Sequence, residues 1–133
     1  MALIALYQTG IIPHLPEPSL PKLDADRVDA SPEAYEKFAT PDAILGLGSY
    51  VATMGLAAMG GADRAKEQPW IPLALSAKML FDVGQAVRLS VDQATKQKAF
   101  CFWCLLAAAA TFASAPLIVP EAIEAARAMA GKR

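Results

Sequence analysis

The chain holds two cysteines, and they stand three residues apart in Lys98-Ala99-Phe100-Cys101-Phe102-Trp103-Cys104. Thiols at this spacing can close a disulfide and exchange it with another thiol pair. Lys96 and Lys98 lie just before them, and a charge-free apolar stretch from Ala99 to Pro120 starts with them. A helix beginning near Lys98 would put Cys101 in its first turn, where free backbone N–H groups and the positive helix end favour a thiolate. Cys104 would lie one turn further in. The pattern predicts a polarised pair, with Cys101 facing water and protein partners and Cys104 facing lipid. Phe100, Phe102 and Trp103 add aromatic surface suited to a flat ring. The bland alternative is that both thiols fill space as small buried hydrophobes and that Trp103 is an interfacial anchor. His14 is the single histidine, far away in sequence, so the four ligands of a structural zinc site are not assembled and no metal is expected.

A second group with chemical potential is Lys78 and Asp82, continued by Gln85 and Arg88, inside an otherwise apolar segment. The i, i+4 spacing puts Lys78 and Asp82 on one helix face, able to pair. A charge near mid-bilayer costs about 2.5–3.5 kcal/mol, so these side chains should face a bundle interior. Lys78, Asp82 and Gln85 would then line a ligand pocket or proton path, or else form a structural bridge that sets helix rotation.

The elements that must carry these residues read as membrane helices. Hydrophobic residues make up 55% and charged residues 19% of the 133 positions, a balance shifted from soluble domains towards a membrane. Segments 43–62, 68–87 and 99–120 are each long enough for one span. The small residues Gly46, Gly48, Ser49, Gly55, Ala58 and Gly60 suit close helix packing in lipid. Residues 1–12 form an apolar helix too short to span, without the basic start and cleavage site of a signal peptide. It reads as a half-span, an interfacial segment or a helix shortened by the choice of start codon. Residues 13–42 are rich in proline and acids and read as a solvated loop, with a short helix opened by Ser31-Pro32-Glu33 that puts Tyr35 and Phe38 on one face. Residues 121–133 read as an amphipathic tail, and Pro116 should kink the last span. The whole is one domain, an all-α membrane bundle of three clear spans plus the short first helix. Lys and Arg divide six to five between the two sides, so the charge rule leaves orientation open. The net charge of −1 and the lack of a basic run with aromatics argue against a nucleic-acid partner.

With these residues in view, the chain resembles the vitamin K epoxide reductase family. The resemblance rests on Lys98 to Cys104 opening the last helix, on Ala43-Ile44-Leu45-Gly46-Leu47-Gly48-Ser49-Tyr50, and on the order of long loop, span, short loop, span and cysteine-bearing span. It implies a four-helix membrane bundle that passes electrons between protein thiols and a quinone of the menaquinone, ubiquinone or phylloquinone type. It further implies that Cys104 meets the quinone and Cys101 exchanges disulfides with a thioredoxin-like or other thiol partner. The cysteine end would lie near the non-cytoplasmic face of a bacterial inner membrane. Family members usually carry a second cysteine pair in the first loop; here Ala30-Ser31 stands about where a Cys-Ser is expected, so the relay would be intermolecular. The alternatives are a disulfide-forming membrane protein of the other four-helix type and a non-catalytic membrane assembly subunit.

Overall fold

A computed structural model describes residues 1–36 and 39–131, and the described residues contain helices and turns but no strand. The six α-helices are α1 (Ala2–Gln8), α2 (Ala25–Asp29), α3 (Asp42–Ala58), α4 (Arg64–Glu67), α5 (Trp70–Asp92) and α6 (Phe102–Gly131). A 3₁₀ turn covers Pro32–Tyr35 and a π-turn covers Gln93–Gln97. The expected all-α class is therefore met. Lys37, Phe38, Lys132 and Arg133 lie outside the described residues, and with them the expected Tyr35–Phe38 face.

Helix boundaries differ from the sequence expectation where backbone chemistry outweighs hydropathy. Apolar character runs on to Ala62, yet α3 stops at Ala58, because Met59 turns extended and Gly60 takes φ 80°, a left-handed conformation that costs glycine little. Arg64 then folds back over the open end. Its Nη1 donates to the carbonyls of Leu56 (3.3 Å), Ala57 (2.6 Å) and Met59 (2.8 Å), oxygens that the last helical turn leaves without partners. The same guanidinium pairs with Glu121 of α6, so one side chain ties α3, α4 and α6 together. Helix α5 continues past Val87 to Asp92, where Arg88 and Lys96 lie within ion-pair reach of the Asp92 carboxylate. Helix α6 runs unbroken through Pro116 and Pro120 to Gly131, so residues 121–131 prolong the last helix rather than form a separate tail.

Helix α6 is the one described helix long and apolar enough to cross a membrane; α3 is apolar but shorter. At about 1.5 Å per residue its 30 residues reach about 45 Å, more than a hydrocarbon core of roughly 30 Å. Its apolar stretch is barely covered by the rest of the protein, and Leu106 and Leu117 are exposed on it, as Leu80 and Phe81 are on α5.

One cluster of buried residues surrounds Cys101, while Ala65, Ile71, Leu75, Met79 and Ala125 are buried elsewhere, on α4, α5 and α6. Ile4, Leu15, Ala25, Val28, Ala43, Ala99 and Cys101 form a single cluster. Three of its seven members, Leu15, Ala25 and Val28, lie within residues 13–42, so the stretch expected to be a solvated loop is instead packed. Hydrogen bonds explain how a proline-rich, acidic segment can be held there. Leu15 N–H donates to Asp26 Oδ1 (2.8 Å), Ala25 N–H to Glu17 Oε1 (2.7 Å), and Arg27 N–H to the α2 cap residue Asp24 (3.0 Å). Its acids satisfy backbone donors that no ladder serves. The Gln8 amide joins three elements: it donates to the Asp29 carbonyl (3.1 Å) and Asp42 Oδ1 (2.8 Å) and accepts from Ala43 N–H (3.2 Å). Gly46 leaves room for the Met1 thioether, which would stand 3.3 Å from an added Cβ.

Candidate functional site

The approach to the cysteine pair is set by an abrupt change of direction. The π-turn ends at Lys98, whose φ of 53° is left-handed, and residues 99–101 then lead into α6, with Phe100 bridged to Leu23 of the first loop. The N–H of Asp24 donates to Phe100 O (2.9 Å) and that of Phe100 to Lys22 O (2.8 Å), which zips the first loop to this segment. Trp103 Nε1 donates to Pro16 O (2.7 Å), and its ring meets Phe102 edge-on at 5.4 Å. Phe100 and Trp103 thus engage the loop, and neither lines the neighbouring pocket.

Helix α6 starts at Phe102, four residues later than expected, so Cys101 takes the position that caps it. Cys101 Sγ accepts the Cys104 N–H at 3.2 Å, as a capping serine or aspartate oxygen would. Its own N–H donates to Gln93 Oε1 at 3.0 Å. Cys101 is fully buried, which corrects the expectation that it faces water: the loop that would have left it open is packed across it. Cys104 is half-buried, and both thiols are free. The loop residues that share the Cys101 cluster are Leu15, Ala25 and Val28; Ala30 is exposed.

Sequence reasoning passed over Asp29. It ends α2, is 2% exposed, and its Oδ1 accepts a hydrogen bond from Cys104 Sγ at 3.5 Å. Its Oδ2 is buried without a hydrogen-bond partner. Burial pushes this carboxyl up to about 6; hydrogen bonds from Cys101 and Cys104 oppose the rise, and the charges of Asp42 and Glu17 add to it. In sequence it is one acid among many, but Ala25, Val28 and Asp29 fall at i, i+3 and i+4, on one helical face. A face with two apolar members was the available signal. One donor atom each from Asp29, Cys101 and Cys104 lie within 4.8 Å of one another. Three donors fall one short of the set a structural zinc site takes.

Asp29 and Cys104 both open on a pocket of about 330 Å³ between α1, α3, α5 and α6. Val28, Ala43, Leu45, Phe81, Ala107 and Ala108 give it apolar walls; Ser49, Tyr50, Thr111, Asp82 and Gln85 add polar atoms. The Tyr50 hydroxyl lies 3.3 Å from Thr111 Oγ1. The volume is at the lower end of the roughly 300–1,000 Å³ usual for small-molecule sites, and the apolar lining with a few polar groups is their usual character.

Lys78 and Asp82 pair as the spacing predicts, at 2.5 Å. Lys78 Nζ also donates to Ser49 Oγ (2.6 Å), and Asp82 accepts from Ser49 (3.0 Å) and Thr53 (3.2 Å) of α3. The pair is therefore a polar knot between α3 and α5. Asp82 and Gln85 reach the pocket wall; Lys78 stays behind it.

A free dithiol thus stands at the start of an apolar helix, one sulfur on a pocket and the other sealed beneath a packed loop. The model of the vitamin K epoxide reductase family matches residues 1–119, nearly the whole chain. The chain belongs to that family, a membrane-embedded family of thiol–disulfide oxidoreductases. Comparison with curated proteins and with solved structures finds no match.

Proposed function

We propose that this protein couples the Cys101/Cys104 dithiol to a quinone in the bilayer and passes the resulting disulfide to a thiol partner protein. The observation that carries this reading is the position of Cys104, on the wall of an apolar pocket and within thiol reach of Cys101. The residues present suit a quinone head: flat apolar walls from Phe81, Ala107 and Ala108, and hydroxyl donors from Tyr50, Ser49 and Thr111 that could meet ring oxygens. The quinone supplies a two-electron, two-proton acceptor. The chain's part is to hold Cys104 at the pocket, keep Cys101 dry until the sulfurs join, and handle the protons released. In balance, two S–H bonds break, one S–S bond forms, and the electron pair and both protons leave to the acceptor.

In this reading α3 and α5 cross the bilayer with α6, α1 closes the pocket from one end, and the cysteine end lies near the non-cytoplasmic face of a bacterial inner membrane. The exposed apolar residues of α5 and α6 support this arrangement. Cys101 exchanges with a thioredoxin-like or other thiol protein once residues 13–36 lift from it.

The test is anaerobic single-turnover oxidation of the reduced, reconstituted protein by a tail-less naphthoquinone. The dithiol should close as quinol absorbance appears, and Cys104→Ser should abolish both. A wild-type pair that stays reduced overturns the proposal. One observation favours a second reading, a non-catalytic assembly subunit: the loop has no cysteine, and an alanine, Ala25, occupies the cluster around Cys101. That reading requires Cys101→Ala and Cys104→Ala to leave the cellular phenotype intact.

A further inference from the structure

We infer that Asp29 is a catalytic residue of the thiol chemistry: it takes the proton of the Cys104 thiol when the pair is oxidised and hands it to the pocket. The inference rests on the thiol–quinone reading above and adds the route of one proton. Three observations support it. Asp29 Oδ1 is the acceptor of the Cys104 S–H, so the proton has no gap to cross. Asp29 lines the same pocket as Cys104, so the proton has somewhere to go. Its other oxygen is buried with no hydrogen-bond partner, so the ionised form is poorly served where it stands and the neutral acid is readily formed.

The surroundings set the direction of transfer. The groups facing Asp29 are Asp42 at the head of α3, Glu17 in the first loop, the two thiols at the start of α6, and Tyr7 of α1. The two carboxylates favour a proton on Asp29; the two thiols, as hydrogen-bond donors, favour its charge. Closing the disulfide removes both thiol donors and leaves both carboxylates. Oxidation by itself therefore drives Asp29 towards its protonated form. The Cys104 S–H bond breaks and its proton passes to Asp29. The Cys101 S–H proton is released as the S–S bond forms, and the electron pair goes to the quinone. The quinone becomes quinol with two protons, one of them returned from Asp29.

The experiment uses the full-length protein in lipid nanodiscs at pH 7 and records oxidised-minus-reduced infrared difference spectra. One arm oxidises with diamide, which acts on thiols without a quinone pocket, and the other with a tail-less naphthoquinone. In the diamide arm, where no quinone takes the proton from Asp29, a carbonyl-stretch band of a protonated carboxylic acid should appear on oxidation in the wild type and be missing in Asp29→Asn. In the quinone arm the rate should rise with pH through about 6, as Asp29 ionises to accept the proton. Asp29→Asn should lose that rise and at least about 10²-fold in rate, the lower end for general acid–base catalysis. Asp29→Glu, which keeps a carboxyl in place, should regain part of both. A wild-type diamide spectrum without the band, or a band that survives in Asp29→Asn, overturns the inference. A band with diamide but no oxidation by the quinone upholds Asp29 and overturns the quinone reading instead. The wild-type spectrum decides even if the variants fold poorly.

Discussion

Replacing Asp29 by asparagine should stabilise the reduced protein at neutral pH, and the structure sets the size of the effect. An aspartate on an unfolded chain ionises near 3.8; burial holds Asp29 at about 6 in the folded protein. Below pH 3.8 the carboxyl is protonated in both states and costs nothing. Between 3.8 and 6 the unfolded chain releases the proton and the folded protein keeps it, so stability falls as pH rises. Above 6 both states are ionised and the loss is constant. The difference between about 6 and 3.8, at about 1.4 kcal/mol per tenfold, comes to about 3 kcal/mol. Asparagine has nearly the same shape and never ionises, so it escapes this loss. Unfolding of both proteins in detergent, with reductant present, should give curves that diverge from pH 4 to pH 6 and run parallel above. Equal stability at pH 7.5, or a variant that is weaker there and stronger at pH 4, would refute the reasoning. It would mean that the carboxylate is held in the folded state by interactions stronger than its burial. Because the same side chain serves the thiol chemistry, the variant gains stability as it loses rate, a trade-off expected of a strained site.

Three further outcomes follow from the geometry. Maleimide alkylation of the native reduced protein, read by mass spectrometry, should modify Cys104 at least about tenfold faster than Cys101, since reaching Cys101 needs local opening of the loop; equal rates would place the loop elsewhere. Trp103→Phe, which removes the hydrogen bond to Pro16, should cost about 1 kcal/mol and speed Cys101 alkylation while leaving Cys104 nearly unchanged. Asp82→Leu should lower membrane abundance by stranding the Lys78 ammonium, a loss of about 3 kcal/mol, and adding Lys78→Leu should restore it if the pair is structural; abundance unmoved by the single change would show that Lys78 finds other partners.

The cysteine spacing, the apolar stretch behind it and the Lys78–Asp82 pair were legible along the chain, because each depends on residues within one or two helical turns. So was the all-α class, which follows from long apolar segments that have no other way to satisfy their backbone in lipid. The role of residues 13–36 was not legible. Proline and acids read as solvent-facing loop, and only the folded chain shows those acids capping backbone N–H groups while Leu15, Ala25 and Val28 close over Cys101. That packing sealed the cysteine expected to meet water, tied the Phe100 backbone to the loop and turned the Trp103 ring towards it. It also placed Asp29 against Cys104, a contact across 75 positions of sequence. Local spacing reports which residues share a helix face; which face is covered, and by what, is a long-range contact that the tertiary structure alone decides.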